Sequence, residues 1–203
     1  MINSEPPEAG VSCAGHPRQR ALRSDARRNL DLVLAAAKDV FCSDGVDAAV
    51  RDIAAKAGVG MGTLYRHFPQ RADLIAAVFR KEVDECADAA VELAASHDPA
   101  DCLCLWLQHY AALIGTKRGL SSALHSGDPA YASLPGYFED RLLPALHGLL
   151  SAAIAAGEVR SDINPGEILS AVGCLGMRSS IGSAAQTERM VALLVDGLRY
   201  RAR

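Results

Sequence analysis

Aromatic residues are scarce in this chain: one Trp, five Tyr and four Phe, 5% of 203 residues. Sheet cores lean on aromatic and β-branched side chains, so the shortage argues against them. Long apolar runs are missing as well; none approaches the roughly 20 residues that a membrane span requires. The first residues lack an apolar core and a cleavage pattern, so no secretory signal is expected. Six cysteines, at 13, 42, 86, 102, 104 and 174, follow no framework spacing, which favours reduced thiols and a soluble, cytoplasmic protein. Cys102 and Cys104, two apart on a helix, project about 200° apart and cannot clamp one metal ion. Cys42, Cys86 and Cys174 are expected to fill helix interfaces as small apolar residues.

The motifs of catalysis are absent too. There is no Gly-x-Ser-x-Gly, no His-Glu-x-x-His and no paired-carboxylate signature. The histidines at 97, 109, 125 and 147 have no Ser or Asp companion at motif spacing. Gly58-x-Gly60-x-Gly62 ends in Thr63 rather than glycine and has no Gly-Lys-Ser/Thr, so it is not a nucleotide loop. Neither an enzyme nor a cofactor is expected.

What is present is helix-forming. Half the chain (50%) is hydrophobic, and Ala and Leu supply most of that share. The net charge of −3 is unevenly spread: residues 1–80 carry 11 basic and 9 acidic side chains, residues 81–203 carry 10 and 15. A basic front on an acidic body suits a protein that meets nucleic acid with one end. Residues 1–22, rich in Pro, Gly and polar residues, read as a disordered arm. Arg18, Arg20, Arg23, Arg27 and Arg28 follow in quick succession, either a solvated tail or an arm for DNA phosphates.

Apolar periodicity then predicts a helix from Ser24, as N-cap, to about Ser43, carrying Leu30, Val33, Leu34, Ala37, Val40 and Phe41. A second begins near Ala49, where Ala48 and Ala49 cannot cap by side chain, so either Asp47 takes that role or the backbone N–H groups are left to water or a DNA phosphate. After Phe68-Pro69, a long helix runs from Gln70 to about Ala95. Five more are expected at 99–115, 119–126, 134–156, 165–180 and 186–201, with Pro144 causing a kink or an offset near Leu142, a stop at Gly157 and a cap at Asn164-Pro165. The fold class is all-α, with about nine helices.

The stretch Val50-Arg-Asp-Ile-Ala-Ala-Lys-Ala-Gly-Val-Gly-Met-Gly-Thr-Leu-Tyr-Arg-His-Phe68 carries the function. It reads as two short helices around a tight turn. Ala54 is small enough for a close crossing, Gly58 can take φ > 0, and Leu64 and Phe68 face inward. Thr63, Tyr65, Arg66 and His67 are left to point out, toward a DNA groove.

This string resembles the DNA-binding segment of TetR-family transcriptional regulators. The resemblance implies a three-helix helix-turn-helix head over residues 23–70, then a linker helix with a ligand-binding and dimerisation body over 71–203. It assigns Thr63, Tyr65, His67 and Arg71 to phosphates, and Arg51, Met61, Gly62 and Arg66 to base edges. Many relatives have Lys or Gln where Met61 stands, and Met offers only apolar contact. In the body it implies an effector pocket, for which Trp106, His109, Tyr110, His125, Tyr137, Phe138 and Met177 are the available lining. Thr116 to His125 resembles the short helix that couples pocket to head. Ile168, Val172, Leu175, Met190, Leu194 and Leu198, beside small residues such as Gly173 and Gly176, are the expected homodimer surface. The implied function is a repressor that a small-molecule effector releases from a palindromic double-stranded operator. The alternative is an all-helical ligand-binding or enzymatic protein whose helix-turn-helix is only a packing hairpin.

Overall fold

The computed structural model describes residues 17–116, 127–178 and 183–200, giving only the backbone for residues 17–27, 116 and 178. Among the described residues every regular element is helical. The order is α1 (Pro17–Asp44), α2 (Val50–Ala57), α3 (Met61–His67), α4 (Arg71–Ala94) and α5 (Pro99–Thr116), then a 3-10 turn (Pro129–Tyr131), α6 (Leu134–Ala155), α7 (Pro165–Arg178) and α8 (Ala184–Arg199). The helix expected over 119–126, and the coupling segment with it, lie outside the described residues.

The inner face of α1 is the predicted one, with Val33, Leu34, Ala37, Val40 and Phe41 buried. Its start is not. The helix runs back to Pro17, so Ser24 sits inside it rather than capping it, and the last six residues of the expected arm are helical. Proline suits the first helical turn, and the Arg, Ala and Leu that follow favour helix without needing a buried face. Of the two ways to cap α2, Asp47 is not the one used. Ala49 occupies that position in an extended conformation, with no side-chain bond to the helix end.

α4 starts where expected, and the Asp73 carboxylate accepts the Gln70 backbone N–H at 2.9 Å. Its apolar face continues through the whole helix, from Leu74, Ile75, Val78 and Phe79 near the head to Val83, Cys86, Ala87 and Ala90 in the body. One helix therefore belongs to both parts. Around it the body closes by packing α4 on α5 and α6, and α5 on α6, α7 and α8.

Pro144 lies inside α6, which continues through it as one helix. Pro144 and Asp140, whose carbonyl loses its partner, are both exposed, so water can satisfy that oxygen. The Asn164 cap is present, with Oδ1 accepting the Gly166 N–H at 2.7 Å. Among the cysteines, Cys86 is buried as expected, but Cys42 and Cys174 are exposed rather than packed. Cys102 is buried and Cys104 half-buried, and burial raises both thiols above their ordinary range, which keeps them poor nucleophiles.

Trp106 fixes the centre of the body. It is fully buried, and its indole N–H donates to the Cys86 carbonyl oxygen of α4 at 2.8 Å. Its ring stacks on Tyr110 at 6.0 Å between centroids. Tyr110 meets Phe138 of α6 at 6.0 Å, and Phe138 meets Phe79 of α4 at 6.5 Å. Three helices are joined by one aromatic column. Trp106→Ala should destabilise the chain by about 3–5 kcal/mol, the usual range for removing a buried tryptophan. Urea unfolding followed by far-UV circular dichroism measures this, since the mutation removes the single Trp as a fluorescence probe. A loss under about 1 kcal/mol would mean the column does not hold the body together.

Candidate nucleic-acid interface

The turn between α2 and α3 is built on Gly58. Its φ of 68° is open to glycine at little cost, and its N–H returns to the Ala54 and Ala55 carbonyls. Val59 N–H adds a bond to Ala54 O at 3.0 Å. The chain thus reverses at once and starts α3 two residues later. Ile53 and Ala54 of α2 and Leu64 of α3 go into the core, and Phe68 caps the end of α3 from inside. All four framework assignments made from the sequence therefore match the structure.

Burying that edge leaves the rest of α3 outside. Met61, Gly62, Tyr65, Arg66 and His67 are exposed, and Thr63 is half-buried. On α2, the Arg51 side chain is 82% exposed, with Asp52 at 3.6 Å. The predicted readers are therefore all exposed, on two helices locked by one turn. Lys56 of α2 pairs with Asp39 of α1 at 2.9 Å. Lys38 of α1 pairs with Glu82 of α4 at 2.6 Å, and Lys81 of α4 with Asp31 of α1 at 3.1 Å. These partly exposed pairs add little energy individually, but the last two bridge α1 of the head to the linker helix.

Arg71 is the exception among the predicted DNA contacts. Its guanidinium donates to the Val46 and Ala48 carbonyl oxygens in the loop between α1 and α2. The first turn of α4 thus holds the loop that α2 starts from, and the fork geometry of Arg lets one side chain serve two acceptors. No local pattern announces this contact, because its partners lie 25 and 23 residues away.

The residues predicted to line a pocket are only partly brought together. Trp106, Tyr110 and Phe138 meet, but as the packed column. Tyr137 instead donates its hydroxyl to Asp84 on the α4–α6 surface at 2.7 Å, where Arg141 Nε reaches the same carboxylate at 2.6 Å. Burial, and then the Asp84 bond, raise the Tyr137 phenol above its ordinary range. His109 is exposed and Met177 is 58% exposed, so neither faces an interior. His125 lies outside the described residues. The open groove over Leu34 and Ala77 is rimmed by Asp31, Arg80, Lys81, Asp84, Glu85, Asp88 and Tyr137, more charged side chains than the mostly apolar cavities that small molecules favour carry.

The expected dimer surface is also redrawn. Ile168, Val172 and Leu198 are buried within the chain itself, and Leu175 and Leu194 are half-buried. The cause is the tight α5–α7 crossing: a Cβ on Gly176 would stand 2.6 Å from the Ala111 carbonyl oxygen and 2.9 Å from Ile114 Cβ. That crossing uses the small residues inside the monomer and turns the first part of α7 inward. The apolar side chains left outside on α7 and α8 are Met177, Met190 and Leu193, the last 63% exposed.

A short helix held by one buried edge, crossing a second helix at a glycine turn and offering its outer edge to solvent, defines a helix-turn-helix protein. Residues 33–78 match the model of the bacterial regulatory proteins of the tetR family, and residues 98–200 match that of the SbtR-like transcriptional regulator C-terminal domain. A TetR transcriptional regulator from Streptomyces coelicolor is similar in structure, with 40% identity and a TM-score of 0.73 over 83% of this chain and 97% of that one. So is the TetR transcription regulatory protein from Mycobacterium vanbaalenii, at 35% identity and a TM-score of 0.73 over 88% and 99% of the two chains. An HTH-type transcriptional regulator of Staphylococcus aureus is 41% identical over 70 residues, 33% of this chain and 36% of that protein. The chain thus spans about a third of the curated relatives it matches. It belongs to the TetR family, whose members are transcriptional regulators rather than enzymes.

The position of Arg71 makes a distinction measurable. Arg71→Ala should lower stability by about 1–3 kcal/mol through two unpaired loop carbonyls. DNA affinity should fall with the head's order, while the slope of log affinity against log salt stays unchanged. A slope reduced by about one would instead assign Arg71 to a phosphate.

Proposed function

We propose that the chain is a homodimeric repressor, that its paired α3 helices read a palindromic double-stranded operator, and that a small-molecule effector in the body releases it. The observation that carries the reading is the outer edge of α3: Tyr65, Arg66 and His67 exposed side by side, with Arg51 alongside on α2 and every apolar framework residue turned in. A packing hairpin has no need for such an edge. Thr63, Tyr65 and His67 supply donors for phosphate oxygens, which set position. Arg66 and Arg51 supply the planar forks that bond guanine O6 and N7 in the major groove.

Dimerisation through the exposed edge of α7 and α8 gives the reading its symmetry, since two heads related by a two-fold axis address two half-sites. α4 supplies the link between effector and head. It enters the body's aromatic column through Phe79 and carries Arg71 under the α1–α2 loop at its other end. An effector that binds better to a body with α4 displaced shifts the population toward heads whose spacing no longer fits the operator. The TetR membership favours this mode of release.

Two measurements test the proposal. Fragments of the source genome are selected with the full chain and compared with random DNA by fluorescence anisotropy over a salt series. Specific binding that weakens linearly in log salt is expected, and Arg66→Ala should cost about 1–3 kcal/mol with relaxed preference at one base pair. Equal affinity for all sequences would reject the regulator. For the dimer, Leu193→Glu sets a charge in the centre of the apolar edge without touching the monomer core. Light scattering should report a monomer of unchanged helicity, and a retained dimer would exclude that edge.

A further inference from the structure

The outer edge of α3 is not uniformly polar. Met61 and Tyr65 stand i and i+4 on one face, 37% and 49% exposed. Gly60 and Gly62 flank Met61, and a Cβ on either would meet no atom within 4 Å. The methionine therefore stands at the start of the reading helix with bare backbone on both sides, and a surface can approach it closely.

A base edge that pairs with Arg, Gln or Asn does so through two hydrogen bonds in the major groove. A thioether has no donor and is a weak acceptor, so Met61 cannot read those edges. The one apolar feature a base pair presents in the major groove is the thymine C5 methyl. Methionine is unbranched and polarisable, and it packs against small apolar groups without demanding one rotamer. We propose that Met61 is a specificity-determining residue that seats against a thymine C5 methyl in each operator half-site, with the Tyr65 ring extending the apolar strip. This rests on the operator-binding reading given above. The contact also discriminates against cytosine, which lacks the methyl and presents an N4 amino group that the thioether would cover without pairing. The exposed Arg51 and Arg66 supply the charge that brings the backbone phosphates to the head.

The experiment uses the full chain and the operator recovered by genomic selection. Each thymine is replaced singly by deoxyuridine, which preserves pairing and every hydrogen-bonding edge and removes only the methyl. Wild-type affinity should fall about fourfold at one thymine per half-site, the effect of about one buried methyl group. Met61→Ala should bind more weakly and lose that sensitivity at the same position, with an unchanged melting curve. Indifference of the wild type to uracil at every thymine overturns the contact. So does a loss that persists undiminished in Met61→Ala, because the methyl then belongs to another side chain. A chain that prefers no fragment at all is a different failure, and it removes the regulator reading together with this one.

Discussion

The surface that faces outward here depends on the burial of one leucine. α3 has seven residues, too few for an isolated helix to persist in water, because nucleation costs more than two turns of hydrogen bonds return. Its conformation is set by Leu64 in the core and by Phe68 closing its end. The direction of Tyr65 and Arg66 then follows from geometry: one and two positions past an inward Leu64, they turn away from the core, while Met61 and His67, three positions from it, stand at the exposed rim. Gly58 sets the angle at which this happens, and Ala54 sets the depth.

The same economy applies to the linker. α4 has no section that belongs only to the head or only to the body, since its buried face runs without interruption from Ala72 to Ala90. At its start Arg71 holds the loop ahead of α2; in its middle Phe79 and Cys86 meet the aromatic column. A change in the body that rotates α4 therefore rotates the floor under α2 and α3.

Much of this was legible in the chain because it is local. The alternation of apolar residues that buries Val33, Leu34, Ala37, Val40 and Phe41, the glycine at 58 and the inward Leu64 depend on neighbours within a few positions. The features that escaped depend on distant partners. Arg71 has the composition of a phosphate contact, and only the return of the α1–α2 loop makes it a pin. Ile168, Val172 and Leu198 have the apolarity of an interface, and only the depth of the α5–α7 crossing turns them inward. Tyr110 and Trp106 look equally suited to lining a cavity or filling one. Nothing in their spacing reveals that Phe138, 28 residues past Tyr110, completes a stack.

The contact between Gly176 and the Ala111 carbonyl oxygen has a mechanical side. With no side chain on Gly176, its backbone comes close against the Ala111 carbonyl oxygen and the Ile114 side chain of α5, which leaves little room at the joint to deform. Packed interiors compress little, so the two helices behave as one slab. A ligand that pushed on α5 would carry α7 with it. The movement would come out on the far side of α7, where Met177 is exposed, and in a pair of chains joined there each half would register what the other had bound.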